Sequence, residues 1–543
     1  MTPASTLDLL FITFNCAKNL VNPGVFASHL HGALTQNANT GLPDLVVFSL
    51  QEVAPLSYSF MGPYFLSKYY TPYEEALNAA AARVLTTTTT PPTPDRPSTA
   101  TAPYTLVKSN NIGMTSLLLF ALHPGSISNL QDAVVGFGVQ EMGNKGAVGC
   151  RFTYTSSSLD GKSTVLTFVA THLAAMEWNL KKRNANWRSI VSGLTFSNPK
   201  DALPGVFPAL APATTAERDQ LGLGQRRPPS PASASSSEGS EEEDDDALPD
   251  RGDSSAPLLR QTSSSLSSSK KKNAVPPHSD LDPSHLSTLQ ELSIFAPATH
   301  LFLAGDLNYR ISSTTPPPGS LFPSFSPDPS DPAHWSHFLA RDQLTAERLA
   351  GRTLHGLSEA EITFGPSYKY DVLPDDEADT AAENLEGVRT AGEVPWKWAP
   401  HRWPSWCDRV LYLDLPDWVQ RRRGPEEKIQ TVAYDILPLM ASSDHRPVFW
   451  RGTVPILPGE EMLPPSTSEG EDGGLEEEDR KDPRVTLPVA IDPHAWERRA
   501  AARRREVIAG WSMFLWATKE GAGVLGGGLL LGALTWWLWR VLG

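Results

Sequence analysis

The chain has 543 residues, a net charge of −15 at pH 7 and three cysteines. The acidic balance argues against a general nucleic-acid binder, because such proteins carry a basic surface. Three cysteines cannot form a disulfide framework, and they favour a reducing compartment such as the cytosol.

Short apolar runs bounded by turn residues predict buried strands in the first part of the chain. Strands alternating with helices predict an α/β layered class. Leu7–Phe14 lacks the basic lead of a secretory signal peptide, so we expect a strand there and a cytosolic folded part. The predicted strands are Leu7–Phe14, Leu45–Leu50, Ile112–Leu122, Gly146–Thr155 and Val165–Ala170, with helices at Tyr73–Leu85 and Met176–Gly193.

Several Pro-, Ser- and Thr-rich stretches bury too little apolar surface to offset the entropy of ordering them. We predict disordered insertions at about 86–103, 198–283, 313–332 and 372–392. The longest of these combines Pro, Ser, an acidic block and a Lys270–Lys272 cluster. A loop of that length within one domain is acceptable only as an unstructured insertion.

The last part of the chain has the pattern of a membrane anchor. Residues 454–495 are predicted to be an acidic, Pro-rich linker, and residues 496–520 a basic juxtamembrane segment. Residues 521–539 carry no charge and are long enough, at about 1.5 Å per residue, to span a bilayer core. The preceding arginines predict a cytosolic N-terminal side held near anionic lipid.

The modest length of residues 521–539 and their many glycines favour the thinner bilayer of the endoplasmic reticulum. We therefore expect an endoplasmic reticulum tail anchor with the folded domain in the cytosol. We expect a monomer. Pairing of tails through Gly523 and Gly527, or through Gly528 and Gly532, is the alternative, because their spacing suits helix contact.

Polar clusters accompany the apolar runs in a fixed order along the chain. Because strand ends in one sheet lie close together, the polar groups are expected to converge on one spot. Carboxylates, carboxamides, a histidine and cations in one place suit metal-assisted phosphate hydrolysis. The clusters are Ser49–Glu52, Gly305–Arg310, Trp406–Arg409 and Ser442–Pro447.

Eight motifs in register resemble the inositol polyphosphate 5-phosphatases. The resemblance runs from about Leu7 to Arg451, outside the insertions, and implies one catalytic domain at 5–453. It implies a DNase I-like fold, a sandwich of two mixed β-sheets flanked by helices. With its tail, the chain is most similar to the fungal tail-anchored members. The motifs are Thr13–Asn15, Gln51–Glu52, Met142–Gly146, Thr171–Leu173, Gly305–Ile311, Tyr368–Asp371, Pro404–Arg409 and Ser443–Pro447.

Glu52 is the best metal-ligand candidate, assisted by Asn15. Mg²⁺ takes one or two carboxylates and leaves positions for water and substrate phosphate. The expected cofactor is therefore Mg²⁺.

His445 and Asp408 are expected to form a pair in which the carboxylate fixes the imidazole and favours its protonation, with Asp444 beside them. Asp306 is placed to orient the attacking water, and Asn308 to contact phosphoryl oxygens. Whether His445 or Asp306 accepts the proton stays open. His172 is a further candidate for phosphate contact.

A polyanionic inositol ring needs several cationic donors, and Arg310 and Lys369 supply them. The resemblance implies that Tyr368 and Lys369 face a 4-phosphate, and Lys145 in its glycine-flanked turn is expected to hold phosphate. Family members often carry another basic residue before the Cys–Asp–Arg block. Lys397, His401 and Arg402 are the candidates for it, with Arg402 preferred as a substrate ligand, and the nearby tryptophans are alternatively a membrane-facing rim.

The expected function is Mg²⁺-dependent removal of the 5-phosphate of phosphatidylinositol 4,5-bisphosphate at a cytosol-facing membrane. A cysteine phosphatase is excluded, because no cysteine is followed six positions later by the arginine that cradles phosphate. The alternatives are a nuclease or another phosphodiesterase of the same superfamily, and an inactive membrane-tethered interaction protein.

Overall fold

The computed structural model of the protein describes residues 5–38, 41–88, 102–156, 161–207, 281–373, 394–465 and 475–542. The strands are β1 (Thr6–Asn15), β2 (Leu45–Gln51), β3 (Thr105–Ile112), β4 (Thr115–Ala121), β5 (Ile127–Gly136), β6 (Gly146–Thr155), β7 (Ser163–His172), β8 (Thr299–Asp306), β9 (Leu357–Ser358), β10 (Tyr370–Val372), β11 (Trp396–Trp398), β12 (Asp408–Leu413), β13 (Gln430–Ile436) and β14 (Val448–Pro455).

The α-helices cover the outer faces of the sheets and form the C-terminal part of the described chain. They are α1 (Pro23–Thr35), α2 (Leu56–Met61), α3 (Pro63–Thr88), α4 (Leu180–Gly193), α5 (Pro199–Ala202), α6 (Pro283–Leu292), α7 (Trp335–Leu339), α8 (Gln343–Leu349), α9 (Asp417–Arg423), α10 (Gly459–Met462), α11 (Ala495–Ala517) and α12 (Lys519–Leu542).

Two six-stranded mixed sheets contain most of the described strands. The first has the order β13-β14-β1-β2-β4-β3, and the second has the order β5-β6-β7-β8-β12-β9. Each sheet has a parallel pair at its centre, β1 with β2 and β7 with β8, while its other pairs are antiparallel. This confirms the predicted class, a sandwich of two mixed sheets flanked by helices.

Alternation along β1 shows how the layers are built. Leu9 and Phe11 point into the core between the two sheets, where Phe11 packs edge-on against Phe168 of β7. Leu10 and Ile12 point the other way, into the core under α1 and α3. Because side chains of a strand alternate between faces, a continuous apolar run is buried on both sides, as expected for a central strand.

The predicted strand Ile112–Leu122 corresponds mostly to β4, and its first residues form the turn that joins β3 to β4. The apolar run Ile112–Leu122 is divided at Gly113, whose φ of +49° belongs to the left-handed region that glycine adopts readily. Residues before the turn form β3 and residues after it form β4, which pair with each other. The hydrophobic pattern did not reveal the turn, because it contains one glycine between apolar residues.

The prediction of a disordered insertion at 313–332 is wrong. Phe325 packs between the indole rings of Trp396 and Trp398, with ring centroids 5.7 and 6.0 Å apart, and Ser324 pairs with His334. Pro-rich sequence is ordered here because distant aromatic residues bind it, which composition cannot show. The predicted insertions 86–103, 198–283 and 372–392 fall mainly on residues 89–101, 208–280 and 374–393, which lie outside the described residues.

The predicted linker at 454–495 also differs from the structure over 475–495, which packs on the domain. Ile491 is buried with Leu203 and Leu289, and the Arg484 guanidinium donates to Asp482 and to the carbonyl of Asp414. The high content of Pro and acidic residues predicted a linker that does not pack on the domain. The buried residues that dock it are too widely spaced to form a recognisable pattern.

The predicted basic juxtamembrane segment is mostly α11, and this helix packs against the domain. Phe514 contacts the rings of Tyr58 and Phe65, and Arg498 pairs with Glu141 and Asp492. The helix α12 follows after the extended residue Thr518. It is the one described helix long and apolar enough to cross a membrane, and it is mostly exposed.

Candidate active site

Strand register brings the polar side chains to one edge of the sandwich. In the first sheet, Asn15 ends β1 opposite Gln51, which ends β2 and is followed by Glu52. In the second sheet, His172 ends β7 opposite Asp306, the last residue of β8.

The antiparallel strand β12 begins at the same edge, because Asp408 lies opposite Asp306. His445 precedes β14, whose first residue Val448 pairs with Thr13 of β1. The site therefore lies where both sheets end, and it opens into a cavity of about 870 Å³. Its polar lining includes Asn15, Lys18, Glu52, Lys145, His172, Asp306, Asn308, Arg310, Tyr368, Lys369, Asp444 and His445.

His445 joins two buried carboxylates. Its Nδ1 hydrogen-bonds with Asp408 Oδ2 at 2.8 Å, and its Nε2 lies 3.9 Å from Asp306 Oδ2. Asp408 is fully buried behind the imidazole and also accepts from Ser367 Oγ at 2.8 Å. The ring is therefore fixed in orientation, with Nε2 on the side of Asp306 and the cavity.

The electrostatics of this pair favour a charged imidazole. Burial alone would lower the pKa of His445, but the charge and hydrogen bond of Asp408, followed by the charge of Asp306, raise it above its ordinary value. Burial raises the pKa of Asp408, and the charge of His445 partly offsets this. We therefore expect an imidazolium to face the cavity at neutral pH.

Asp306 is the most heavily bonded carboxylate of the site. Its Oδ2 accepts from Asn15 Nδ2 at 3.0 Å and lies 3.3 Å from His172 Nε2, and its Oδ1 accepts from the Asn308 amide at 3.0 Å. Burial alone would raise its pKa, but the hydrogen bond of His172, then the charges of His445 and Lys145, lower it. Asp306 is thus an ionised acceptor in a buried place.

His172 lies between Asp306 and a cation. Its Nε2 is 3.1 Å from Lys145 Nζ. Burial lowers the pKa of His172, and the charge of Lys145 lowers it further, so the neutral ring is favoured. The neutral Nε2 either accepts from Lys145 or donates to Asp306, so His172 is an uncharged partner of one of these groups at a time.

Four residues that line the cavity hold left-handed backbone: Ala17, Lys18, Glu52 and Asn308. Glu52 has a φ of +47° and Asn308 a φ of +56°, conformations that non-glycine residues adopt at some cost. The turn at Glu52 follows β2 directly and places the carboxylate in the cavity, 3.7 Å from Lys18 Nζ. Strain at ligand-facing positions such as Glu52 and Asn308 is typical of a functional site.

Arg310, Tyr368 and Lys369 form one side of the cavity. The Arg310 guanidinium is buried, donates to Asn308 Oδ1 at 2.5 Å and lies 4.3 Å from the centre of the Tyr368 ring. The Tyr368 ring in turn packs 4.5 Å from the His445 ring, and Lys369 Nζ lies 3.4 Å from Asp444. The cations are thus next to the acid–imidazole group.

Arg402 lies outside the cavity lining. Its Nε is 3.9 Å from the buried carboxylate of Glu177, and its Nη2 contacts Met176 Sδ. Lys397 and His401 are exposed. Trp396 and Trp398 pack around Phe325 and Tyr370, so they are not a membrane-facing rim.

Three residues that support the site, Ser443, Ser367 and Lys18, were not predicted from the sequence. Ser443 Oγ donates to the Asn15 carbonyl at 2.7 Å and accepts from the His445 amide at 3.1 Å, which ties β1 to the His445 loop. Ser367 supports Asp408, as described above, and Lys18 lines the cavity. The position of Ser443 inside the motif that contains His445 could have indicated its supporting role. No sequence pattern around Ser367 indicates that it supports Asp408.

Comparison with known proteins places this geometry in a family. Residues 12–220 and 259–451 match the Endonuclease/Exonuclease/phosphatase family 2. Phosphatidylinositol 3,4,5-trisphosphate 5-phosphatase 1 of Mus musculus is 31% identical over 153 residues, which are 28% of this chain and 11% of that protein. Type I inositol polyphosphate 5-phosphatase 5 of Arabidopsis thaliana is 34% identical over 144 residues, which are 26% of this chain and 21% of that protein.

These matched stretches span a small part of the curated relatives. Among solved structures, the inositol polyphosphate 5-phosphatase domain of SPsynaptojanin, in complex with inositol (1,4)-bisphosphate and calcium ion, matches with a TM-score of 0.45 and 21% identity. That match covers 83% of this chain and 84% of the other.

Asp408→Asn should lower the pKa of His445 by about one unit or more, because the nearest negative charge is removed. The ring would then be mostly neutral at pH 7. NMR titration of histidine-labelled protein measures this, with the His445 signal assigned by its loss in His445→Gln. Exposed Asp417→Asn is the control and should change nothing. An unshifted His445 pKa in Asp408→Asn would show that Asp408 does not set the charge.

Proposed function

The chain belongs to the Endonuclease/Exonuclease/phosphatase family 2, and on that premise we propose that it is a Mg²⁺-dependent 5-phosphatase of phosphatidylinositol 4,5-bisphosphate. The proposed setting is a cytosol-facing membrane. The curated relatives carry the names of inositol polyphosphate and phosphoinositide 5-phosphatases, which supports the reaction class. The bisphosphate lipid, the metal and the membrane are our inferences from this chain.

One observation carries the proposal. A single cavity combines an ionised Asp306, a histidine held by Asp408 and a group of cations. Phosphate-ester hydrolysis needs an oriented water, charge stabilisation on the phosphoryl oxygens and a binding site for a polyanion. The described residues supply each of these within one cavity.

The donors present fit Mg²⁺ held by Glu52 and Asn15. Glu52 offers a carboxylate in the cavity, and the Asn15 amide oxygen, which accepts one bond from Ala17 N at 3.1 Å, retains a second lone pair. Oxygen donors with few carboxylates suit Mg²⁺. The ion would supply charge neutralisation on the reacting phosphate and the leaving oxygen.

A second group, Asp306, Asp408 and His445, has ligand atoms within 4.8 Å of one another. We do not assign the metal to it. Asp408 Oδ2 and His445 Nδ1 already bind each other at 2.8 Å, so the facing atoms of this group are used in a hydrogen bond.

In our proposal, the side chains around the cavity have separate catalytic roles. Asp306 remains ionised and orients the attacking water, with Asn15 fixing the carboxylate. His445, held by Asp408, presents an imidazolium that neutralises charge on the phosphoryl group. Asn308 and Lys145 lie at the same cavity wall and donate to phosphate oxygens.

Substrate selection is assigned to Lys369, Tyr368 and Arg310. Lys369 is 12% exposed in its side chain and lines the cavity, so a 4-phosphate bound there would find a partly desolvated cation. Arg310 stacks on Tyr368, which holds both in place. We do not propose Arg402 as a direct ligand, because its guanidinium pairs with Glu177 outside the cavity lining.

A nuclease is disfavoured because the site cations line one cavity, whereas the chain as a whole is acidic at −15. An inactive scaffold is disfavoured because every expected catalytic residue type is in place around the cavity.

We further propose that α12 anchors the domain in the endoplasmic reticulum membrane. The helix has 24 residues and a mean hydropathy of 1.4 over its most apolar window. Its glycine-diluted apolar character suits a thin bilayer. A monomer is proposed, with α12 pairing as the alternative.

Glu52→Ala, Asp306→Asn and His445→Ala should each lower kcat by about a hundredfold or more on phosphatidylinositol 4,5-bisphosphate, as expected for loss of a metal ligand or charge stabiliser. Phosphate release with and without EDTA measures this, with circular dichroism to check folding. The exposed Glu361→Gln serves as control and should behave as wild type. Near-normal turnover in any two of the three would refute the site.

Lys369→Ala should reduce kcat/KM for phosphatidylinositol 4,5-bisphosphate about tenfold or more relative to phosphatidylinositol 5-phosphate, because only the former carries a 4-phosphate for this cation. Lys397→Ala is the matched control on the neighbouring strand, and it should leave the ratio unchanged. Equal losses on both lipids after Lys369→Ala would assign Lys369 a supporting role.

Removing 519–543 should release the enzyme from membranes while the domain stays folded, because α12 makes few contacts with the rest of the chain. A cut before α11 would not be a clean test, since that helix is part of the folded domain. Membrane flotation compares the shortened chain with the full one. Membrane retention of the shortened chain would contradict anchoring by α12.

A further inference from the structure

The helix α11 inserts a buried carboxylate next to the cavity wall. Glu506 is fully buried near the middle of the helix. Its Oε1 accepts from the backbone amide of Gly143 at 2.8 Å, and Arg499 donates to both of its oxygens at 2.6 and 2.5 Å. Arg503 Nη1 lies 3.5 Å from Oε2. Glu506 of α11 thus binds a loop that lies more than three hundred residues earlier in the sequence.

That loop, residues 138–146, has a conformation it cannot hold by regular pairing alone. Gln140 and Glu141 have φ values of +55° and +61°, outside regular helix or strand. Gly143 packs so closely that an added Cβ would lie 2.6 Å from the Ile112 side chain. The Arg499 guanidinium also donates to the Glu141 carbonyl at 3.1 Å. Helix α11 therefore holds the loop by hydrogen bonds to two backbone groups, the Glu141 carbonyl and the Gly143 amide.

The loop ends in the cavity. Lys145 is two residues beyond Gly143, and its Nζ lies 3.1 Å from His172 Nε2. A shift of the Gly143 backbone would therefore move the Lys145 ammonium relative to His172 and the bound phosphate.

The same helix supports the segment that carries Glu52. Arg503 Nη1 donates to the Phe60 carbonyl at 2.9 Å, at the end of α2, which begins shortly after Glu52. The Val53 amide donates to the Met114 carbonyl at 3.1 Å, next to Gly113, against which Gly143 packs. The cluster of Arg499, Arg503 and Glu506 on α11 therefore contacts both the loop that leads to Lys145 and the end of α2.

We propose that Glu506 is a positioning residue, which holds the 138–146 loop so that Lys145 faces the substrate phosphate, and that α11 is thereby an integral part of the active site support. The Lys145 role rests on the proposed function. Buried ion pairs of this kind add little net stability but specify one arrangement. Glu506 fits the role of specifying one loop arrangement, because its carboxylate faces two arginines and the Gly143 backbone amide.

The first test is a double-mutant cycle on the full chain in detergent, with inositol 1,4,5-trisphosphate as a soluble substrate so that membrane orientation has no effect. Glu506→Ala should lower kcat/KM about tenfold, with most of the loss in KM, because phosphate contact is weakened. In Lys145→Ala, adding Glu506→Ala should cost little more. Glu506→Gln keeps one oxygen for the Gly143 amide but turns an amide N–H toward Arg499, so it should recover part of the loss. Arg505→Ala, exposed on the same helix, should match wild type.

Losses that add fully in the double mutant would overturn the proposal, and so would Glu506→Gln as impaired as Glu506→Ala. The second test does not depend on activity. Hydrogen–deuterium exchange of a peptide covering 138–146 should speed up in Glu506→Ala, while peptides from α1 and β14 stay as in wild type. Unchanged exchange over 138–146 would refute the loop contact. If the wild type releases no phosphate, the proposed function fails, and exchange alone decides whether Glu506 holds the loop.

Discussion

The buried charge of Asp306 is the constraint on which the site depends. A carboxylate removed from water is stable only when hydrogen bonds and nearby positive charge compensate it. Here the compensation comes from both sheets: Asn15 reaches it from the first, while His172 and the Asn308 amide belong to the second. Holding Asp306 ionised therefore also fixes how the two sheets meet at this edge. The low pKa of Asp306 and the raised pKa of His445 follow from the same cluster.

Support for the site extends in layers away from that carboxylate. Asp408 holds His445 from behind, and Ser443 ties the His445 loop to β1. Farther out, α11 contacts the loop that leads to Lys145 and the end of α2. These layers are linked by hydrogen bonds between buried groups, so displacement of one group leaves its partner unsatisfied. This gives the cavity a fixed shape without requiring a large apolar pocket.

Much of this could be predicted from sequence where the signal is local. Continuous apolar runs such as β1 predicted buried strands and an α/β class, and the resemblance implied the sandwich. The polar residues at the ends of β2 and β8 predicted that Glu52 and Asp306 lie close together. The Gly113 turn was hidden inside an apolar run. The packing of 313–332 and of 475–495, and the role of Glu506, depend on partners that are distant in the sequence, and composition gives no information about them. Arg402 was assigned by its charge, but its partner Glu177 gave no local signal.

The arrangement also shapes how a membrane-bound enzyme would work. Because α11 is packed on the domain and only Thr518 lies between it and α12, the cavity would be held at a limited range of distances and orientations from the bilayer. The central claim is the position of bond cleavage on the lipid. The most direct measurement is the identity of the product formed from phosphatidylinositol 4,5-bisphosphate with Mg²⁺ present. The account predicts phosphatidylinositol 4-phosphate and inorganic phosphate, with none formed after chelation. Phosphatidylinositol 5-phosphate, or release of the inositol headgroup from the lipid, would contradict it.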